Sequence, residues 1–379
     1  MKKTVSVILA AAMLTLGFTG CNSSSQAASS AASAAASTAA ASAAPAASGS
    51  KNVILISKSF GAEFYQASYK GADDAAKKNG LTVEKFGPDV ESNVQAQVDQ
   101  INAAINKKPA AIILAACDAT AITAQMQSCK AAGIPVIGFD SGVPGDTSGA
   151  VVATAATDNK HAGAVVADNL FASAAFQTAV KTGTAAKPVV IGVLSQDAIS
   201  GSIIERTTGF VDELVTKLGT VSGLENAVQV TGQSNWNKKA TSAAKVTIQV
   251  TVPPSTTASD VQSAATTVFA TKNMIALFGS NQTTVDGILG ASSDGSDLTG
   301  KYKNIIVVGF DAGKGQKSAI KGKQLFGSVT QDPYTMGFDA VQIAADILAG
   351  KTPKNADTGA KWYNSENIAD PTIAQLLYD

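Results

Sequence analysis

The 379-residue chain contains one histidine, His161, a single arginine, Arg206, and three cysteines, Cys21, Cys117 and Cys129. So few bases, nucleophiles and soft ligands limit the chemistry it can do. One His and three Cys do not build a His/Cys zinc or haem site of the common kinds, so no metal and no cofactor is expected. Acid–base catalysis by histidine would rest on His161 alone. It follows Asp158–Asn159 at a predicted helix start, where a capping or surface role accounts for it. Cys117 ends a predicted strand, but no second histidine exists to activate it. Ser242-x-x-Lys245 and Lys181–Thr182–Gly183 match two pieces of a penicillin-binding signature, in reversed order and with no S-x-N between them. Gly313–Lys314–Gly315 lacks the spacing of a phosphate loop, and there is no G-x-S-x-G. The chain is not expected to be an enzyme.

Other residues suit non-covalent recognition. Phe64–Tyr65 opens a predicted helix beside a strand end. Aromatic faces stack on the apolar C–H face of a sugar ring, while polar groups bond its hydroxyls; ordinary helix core is the competing explanation. Asp140 and Asp311 end two strands in matching Gly–Phe–Asp sequences. A carboxylate accepts two hydroxyl donors, which suits vicinal hydroxyls, and it also suits helix capping. Asn281 starts a helix as cap or amide ligand, and Gln331 follows Ser328–Val329–Thr330. Arg206 stands early in a predicted helix, where the dipole disfavours a cation. Packing alone explains it badly, and its planar fork is useful against two adjacent oxygens.

The elements that must position these groups form an alternating series. Strand-type runs at 53–57, 81–86, 110–116 and 135–140 are separated by helical patterns at 63–79, 91–106 and 119–132. The series restarts with strands at 189–194, 245–252, 274–278 and 304–311, and helices at 203–218, 260–271 and 281–291. Continuous apolar strands between such helices indicate parallel sheets covered on both faces. Two α/β halves in tandem predict two doubly wound lobes, whose ligands bind beyond the carboxyl ends of the strands. Cys117 and Cys129 flank the helix at 119–132, too far apart for a disulfide.

Charged residues are 15% of the chain, with 29 basic and 29 acidic. That balance lacks the basic excess nucleic-acid binding needs. Lys2 and Lys3 precede an apolar run from Val5 to Leu16, which is too short to span a bilayer and suits a secretory signal. Beyond this leader there are two more acids than bases. Phe18–Thr19–Gly20–Cys21 resembles a bacterial lipobox, with Phe18 where leucine is usual. Cys21 is therefore the expected lipidation site. The stretch 22–50 is nearly all Ala, Ser and Thr without charge, a tether rather than a packed segment.

Phe64–Tyr65, the VIGFD ending at Asp140, Ala156–Thr157–Asp158–Asn159, Glu205–Arg206–Thr207–Thr208–Gly209–Phe210, Asn281, the VVGFD ending at Asp311, and Gln331 occur in one order. That order resembles the ribose-type periplasmic sugar-binding proteins of ABC importers, over residues 51 to about 350. The resemblance implies a type I periplasmic binding protein fold: two lobes joined by a multi-strand hinge. Residues 1–20 would be a lipoprotein signal peptide and 21–50 the tether. Residues 51–157 with 332–358 would form the first lobe, and 158–331 with 359–379 the second. Phe64 and Tyr65 would sandwich a monosaccharide. Asp140, Arg206, Asn281, Asp311 and Gln331 would bond its hydroxyls. The partners would be the sugar, an ABC permease and the membrane through lipid on Cys21, with no nucleic acid and a monomeric chain.

Departures from the pattern bear on the ligand. Ser141 stands where the ribose binders carry arginine, and Ala62–Glu63 replaces Asn-Pro before the aromatic pair. A nucleoside, polyol or furanose signal is the alternative ligand, and a sensor-receptor role the alternative function. In the longer segment 219–257, Trp236 fits by sequence look, but counting back from Phe278 puts Ser255 at the position facing the ligand, after the strand at 245–252; if 228–231 and 245–252 form a hairpin, Trp236 lies at the far end from the cleft. Residues 358–363 are a candidate third crossing, with packing the preferred role of their aromatics, Trp362 and Tyr363. Arg206→Ala is expected to remove binding while leaving the fold intact.

Overall fold

The computed structural model describes residues 49–378. The leader, Cys21, the tether up to residue 48 and Asp379 lie outside the described residues. The first lobe contains β1 (Asn52–Ile56), β2 (Thr82–Phe86), β3 (Ala111–Leu114), β4 (Val136–Phe139) and β5 (Val151–Ala156). Between them run α1 (Glu63–Asn79), α2 (Val94–Asn106) and α3 (Thr123–Ala131). The second lobe begins with α4 (Asn159–Ala172) and α5 (Ala174–Val180). It continues through β6 (Val189–Leu194), α6 (Gly201–Leu218), β7 (Val228–Gly232), β8 (Val246–Thr251) and α7 (Ala258–Phe269). Then come β9 (Met274–Gly279), α8 (Gln282–Gly290), β10 (Ile306–Phe310), α9 (Lys314–Lys321) and β11 (Gly327–Gln331). The chain returns to the first lobe with α10 (Pro333–Leu348) and β12 (Ala356–Asp357), and ends in the second with β13 (Ala360–Tyr363) and α11 (Pro371–Ala374).

The first sheet has the order β12-β5-β4-β3-β1-β2 and is parallel throughout. Its central strand shows why. Residues Val53 to Ile56 of β1 are fully buried. Val53 and Leu55 pack with residues of α1 and α10. Ile54 and Ile56 pack with Ile101 of α2 and Met126 and Cys129 of α3. Alternate side chains serve opposite faces, so both faces must be apolar. The second sheet runs β13-β11-β10-β9-β6-β8-β7, with only β13 antiparallel. The chain passes between the lobes after β5, after β11 and between β12 and β13, so the tail does make a third crossing.

The hairpin considered for residues 228–252 is not formed. β7 and β8 pair in parallel, Val228 beside Val246. The chain doubles back through Lys238, which bridges Val230 antiparallel, before β8 re-enters in the original direction. Trp236 packs in the second-lobe core and donates its indole N–H to Thr208 Oγ1 at 2.9 Å.

Each lobe has one intimate helix pair, α1 on α10 and α4 on α6. A Cβ on Gly71 or Gly337 would fall 1.9 Å from Tyr334 O or Ser68 O. A Cβ on Gly163 or Gly209 would fall 2.1 Å from Arg206 O or 1.9 Å from Lys160 O. Only glycine lets these backbones touch. Cys117 and Cys129 are free and buried.

Candidate functional site

The strand ends of both lobes deliver their groups to one cleft of about 270 Å³. From the first lobe come Lys58 after β1, Glu63, Phe64 and Tyr65 at the start of α1, Glu91, and Asp140 at the end of β4. The second lobe gives Ser202, Ile203 and Arg206 from α6, Asn281 with Asp286 from α8, Asp311 after β10, and Gln331 at the end of β11. Asp140 and Asp311 both adopt left-handed backbone, with φ of 52° and 75°. Aspartate tolerates that region better than most residues, and such positions gather at binding sites.

Arg206 is 2% exposed. Its Nη2 and Nε donate to Asn159 Oδ1 at 2.8 and 3.3 Å, and its Nη1 to the Ser280 carbonyl at 2.9 Å. The guanidinium lies 3.5 Å from the centre of the Phe310 ring and 3.8 Å from Asp311 Oδ2. One N–H on each terminal nitrogen is left for the cleft, since the group has five in all. Asp311 accepts Gln331 Nε2 at 2.6 Å and the Gln282 backbone N–H at 3.0 Å. Burial raises its pKa above the usual carboxylate value, against the pull of Arg206. Gln331 is 1% exposed, and its Oε1 has no partner.

In the first lobe Tyr65 Oη donates to Asp140 Oδ2 at 2.6 Å. Burial, then the charge of Asp140, pushes the phenol well above its ordinary value. Phe64 and Tyr65 contact each other edge to face, centroids 5.2 Å apart and planes at 87°. Rings in mutual contact leave no slot between them. The expected sandwich is thus corrected: the two rings form a single wall, and Ile203 supplies apolar lining from the second lobe. The tail supports that wall. Tyr378 lies edge-on to Phe64 at 6.0 Å, and its hydroxyl accepts the Ala312 N–H at 3.2 Å.

Seven of the nine residues expected at the site line the cleft: Phe64, Tyr65, Asp140, Arg206, Asn281, Asp311 and Gln331. Ser141 and Ser255 do not. Asp140 and Gly142 turn the chain back, and Ser141 Oγ donates to the Ala116 carbonyl at 2.8 Å. Ser255 Oγ donates to Asp260 Oδ2 at 2.5 Å, within the first turn of α7. Its neighbour Thr256 instead meets the first lobe, accepting the Ser92 N–H at 2.9 Å. Trp236 is also off the cleft.

A family model for the periplasmic binding protein domain matches residues 53–352. The chain belongs to that family. Periplasmic binding proteins similar to it include the ribose import binding protein RbsB of Bacillus subtilis (strain 168), 27% identical over 309 residues. That match covers 80% of this chain and 85% of the relative. An ABC transporter, LacI family transcriptional regulator, from Brachyspira murdochii is 35% identical, with a TM-score of 0.72. It covers 87% of this chain and 99% of its own. An ABC transporter solute-binding protein from Agrobacterium vitis, solved with D-fucose, is 28% identical with a TM-score of 0.69. There the match covers 86% of this chain and all of the other.

Two wall residues of this periplasmic binding protein, Lys58 and Glu91, and the Asn159 that holds Arg206 escape a reading of its sequence as site residues. Lys58 reads as a loop lysine, Glu91 as the first residue of a helix that in fact begins at Val94, and Asn159 as part of a helix start. The signal available for Lys58 is its place at the carboxyl end of a fully apolar strand. Among the described residues no helix is long and apolar enough to cross a membrane.

Proposed function

We propose that this protein captures a neutral monosaccharide between its lobes and presents it to an ABC importer. It is a binding protein of the extracytoplasmic family, not an enzyme. The observation that carries the reading is the cleft itself. It presents an aromatic wall, two left-handed aspartates, an arginine fork with free N–H groups and an unpartnered Gln331 oxygen. A space of about 270 Å³ sits just below the ~300–1,000 Å³ of drug-sized sites. One sugar ring suits it better than two. The relatives' ribose import role and bound D-fucose point the same way. The mechanism is hinge closure: ligand contacts made to both lobes at once favour the closed form. The protein acts as a monomer, tethered through lipid on Cys21.

Thermal-shift screening against pentoses, hexoses, polyols and nucleosides tests the reading, because a ligand of the folded state raises the melting temperature. A shift confined to pentoses or hexoses supports it. A shift given by nucleosides or polyols alone replaces the ligand class.

A further inference from the structure

Lys58 is 3% exposed, and its ammonium stands where the lobes meet. Nζ is 3.0 Å from Glu91 Oε2 and 3.5 Å from Asp140 Oδ2, both in its own lobe. Across the gap it reaches Ser200 Oγ at 3.1 Å and Ser202 Oγ at 3.5 Å, at the start of α6. Three N–H groups are thus shared among four acceptors, and none is left for a ligand. A cation at a helix N-terminus is unfavourable by itself. Asp197 offsets this, accepting the Ser200 and Ile199 N–H groups at 2.8 and 3.0 Å.

Glu91 crosses the gap as well, accepting Gln196 Nε2 at 2.7 Å. Gln196 Oε1 accepts Asn281 Nδ2, and the Gln196 N–H donates to Ser280 Oγ at 3.0 Å. The Ser280 carbonyl holds Arg206. An unbroken chain therefore runs from Asp140 through Lys58, Glu91 and Gln196 to Asn281 and, through Ser280, to Arg206.

We infer that Lys58 is a positioning residue that latches the lobes together, by neutralising Glu91 and Asp140 at the same moment as it bonds α6. This rests on the proposed sugar site only in that Asp140 serves that site; the latch itself is a property of the closing lobes. The charges fit. Burial would lower the Lys58 pKa, but Glu91, Asp140 and Asp197 together hold it above the ordinary lysine range. Burial raises Glu91, while Lys58 pulls it down. The charged and titratable groups around the ammonium are Glu91 before α2, Asp140 after β4, Asp197 after β6 and Cys117 after β3, and Tyr65 on α1 shares Asp140 Oδ2 with it. All are acidic or neutral.

Without the cation, closing the lobes would bury two like charges. Glu91, whose carboxyl burial pushes up, would ionise beside Asp140 as the pH rises and force the lobes apart. The test is small-angle X-ray scattering of the full chain at pH 5 and pH 8, with Lys58→Met and the double variant Lys58→Met/Glu91→Gln beside wild type. The radius of gyration of wild type is expected to be the same at both pH values. Lys58→Met is expected to expand at pH 8 and contract at pH 5, and the double variant to behave as wild type. D-ribose and D-fucose serve as ligand probes. Whichever binds wild type should bind Lys58→Met about 100-fold more weakly at pH 8, the scale on which breaking a buried pair acts. If neither sugar binds wild type, the choice of sugar fails, while the scattering still decides the latch. A radius independent of pH in Lys58→Met overturns the inference, as does a double variant no better than the single one. If Lys58→Met does not fold, recovery of a pH-independent radius in the double variant supports the latch, and its absence contradicts it.

Discussion

Arg206 is held so thoroughly by its own protein that its truncation has two consequences. Alanine would leave Asn159 Oδ1, the Ser280 carbonyl and buried Asp311 without their cation. Breaking a buried pair in this way costs about 3–5 kcal/mol. The expectation that Arg206→Ala spares the fold is therefore revised: its melting temperature should fall several degrees, and its loss of binding would be ambiguous. Arg206→Lys separates the effects. It keeps the charge but loses the fork, so sugar affinity should drop about 10- to 100-fold while stability falls less than in Arg206→Ala. Calorimetric titration beside thermal denaturation of both variants reads the two quantities. Equal affinity in Arg206→Lys and wild type would remove the arginine from the site.

At the scale of elements, helix placement sets the site. α6 carries Arg206 and α4 carries Asn159, and the two touch through Gly163 and Gly209. Gly209→Ala drives a methyl into the Lys160 carbonyl, and such overpacking costs about 1–3 kcal/mol. The variant should melt earlier and also bind sugar more weakly, because the separation of α4 and α6 displaces the Asn159–Arg206 pair. Unchanged affinity at lowered stability would show that the pair tolerates the shift. Much of this architecture is legible in the sequence. Runs such as VILI and VVIGVL read as strands buried on both faces, and the carboxyl ends of such runs locate Asp140, Asn281 and Asp311, while Gln331 comes from the family resemblance. Illegible are features set by distant partners. Lys58 meets Ser200 across 142 positions. Ser141 is turned away by a backbone conformation that its neighbours dictate, and β8 reverses relative to the hairpin considered because the chain doubles back at Lys238. No periodicity encodes these.

For the whole molecule, the balance of charge in the cleft restricts the ligand. Glu63, Glu91, Asp140, Asp286 and Asp311 line it, against Lys58 and Arg206. Both cations already face carboxylates, so an anionic sugar would meet repulsion with no free cation to offset it. The proposed lipid anchor has its own test: Cys21→Ser should release the protein from membranes into the soluble extracellular or periplasmic fraction, and persistent membrane attachment would contradict lipidation at Cys21. The central claim is capture of one neutral monosaccharide between the lobes. Isothermal titration calorimetry of the full chain, with a pentose and hexose panel beside the matching uronic acids, tests it most directly. The account predicts saturable binding of a neutral pentose or hexose at one site per chain, with no heat from its uronate. Equal or tighter binding of the uronate, or no binding by any neutral sugar, would contradict it.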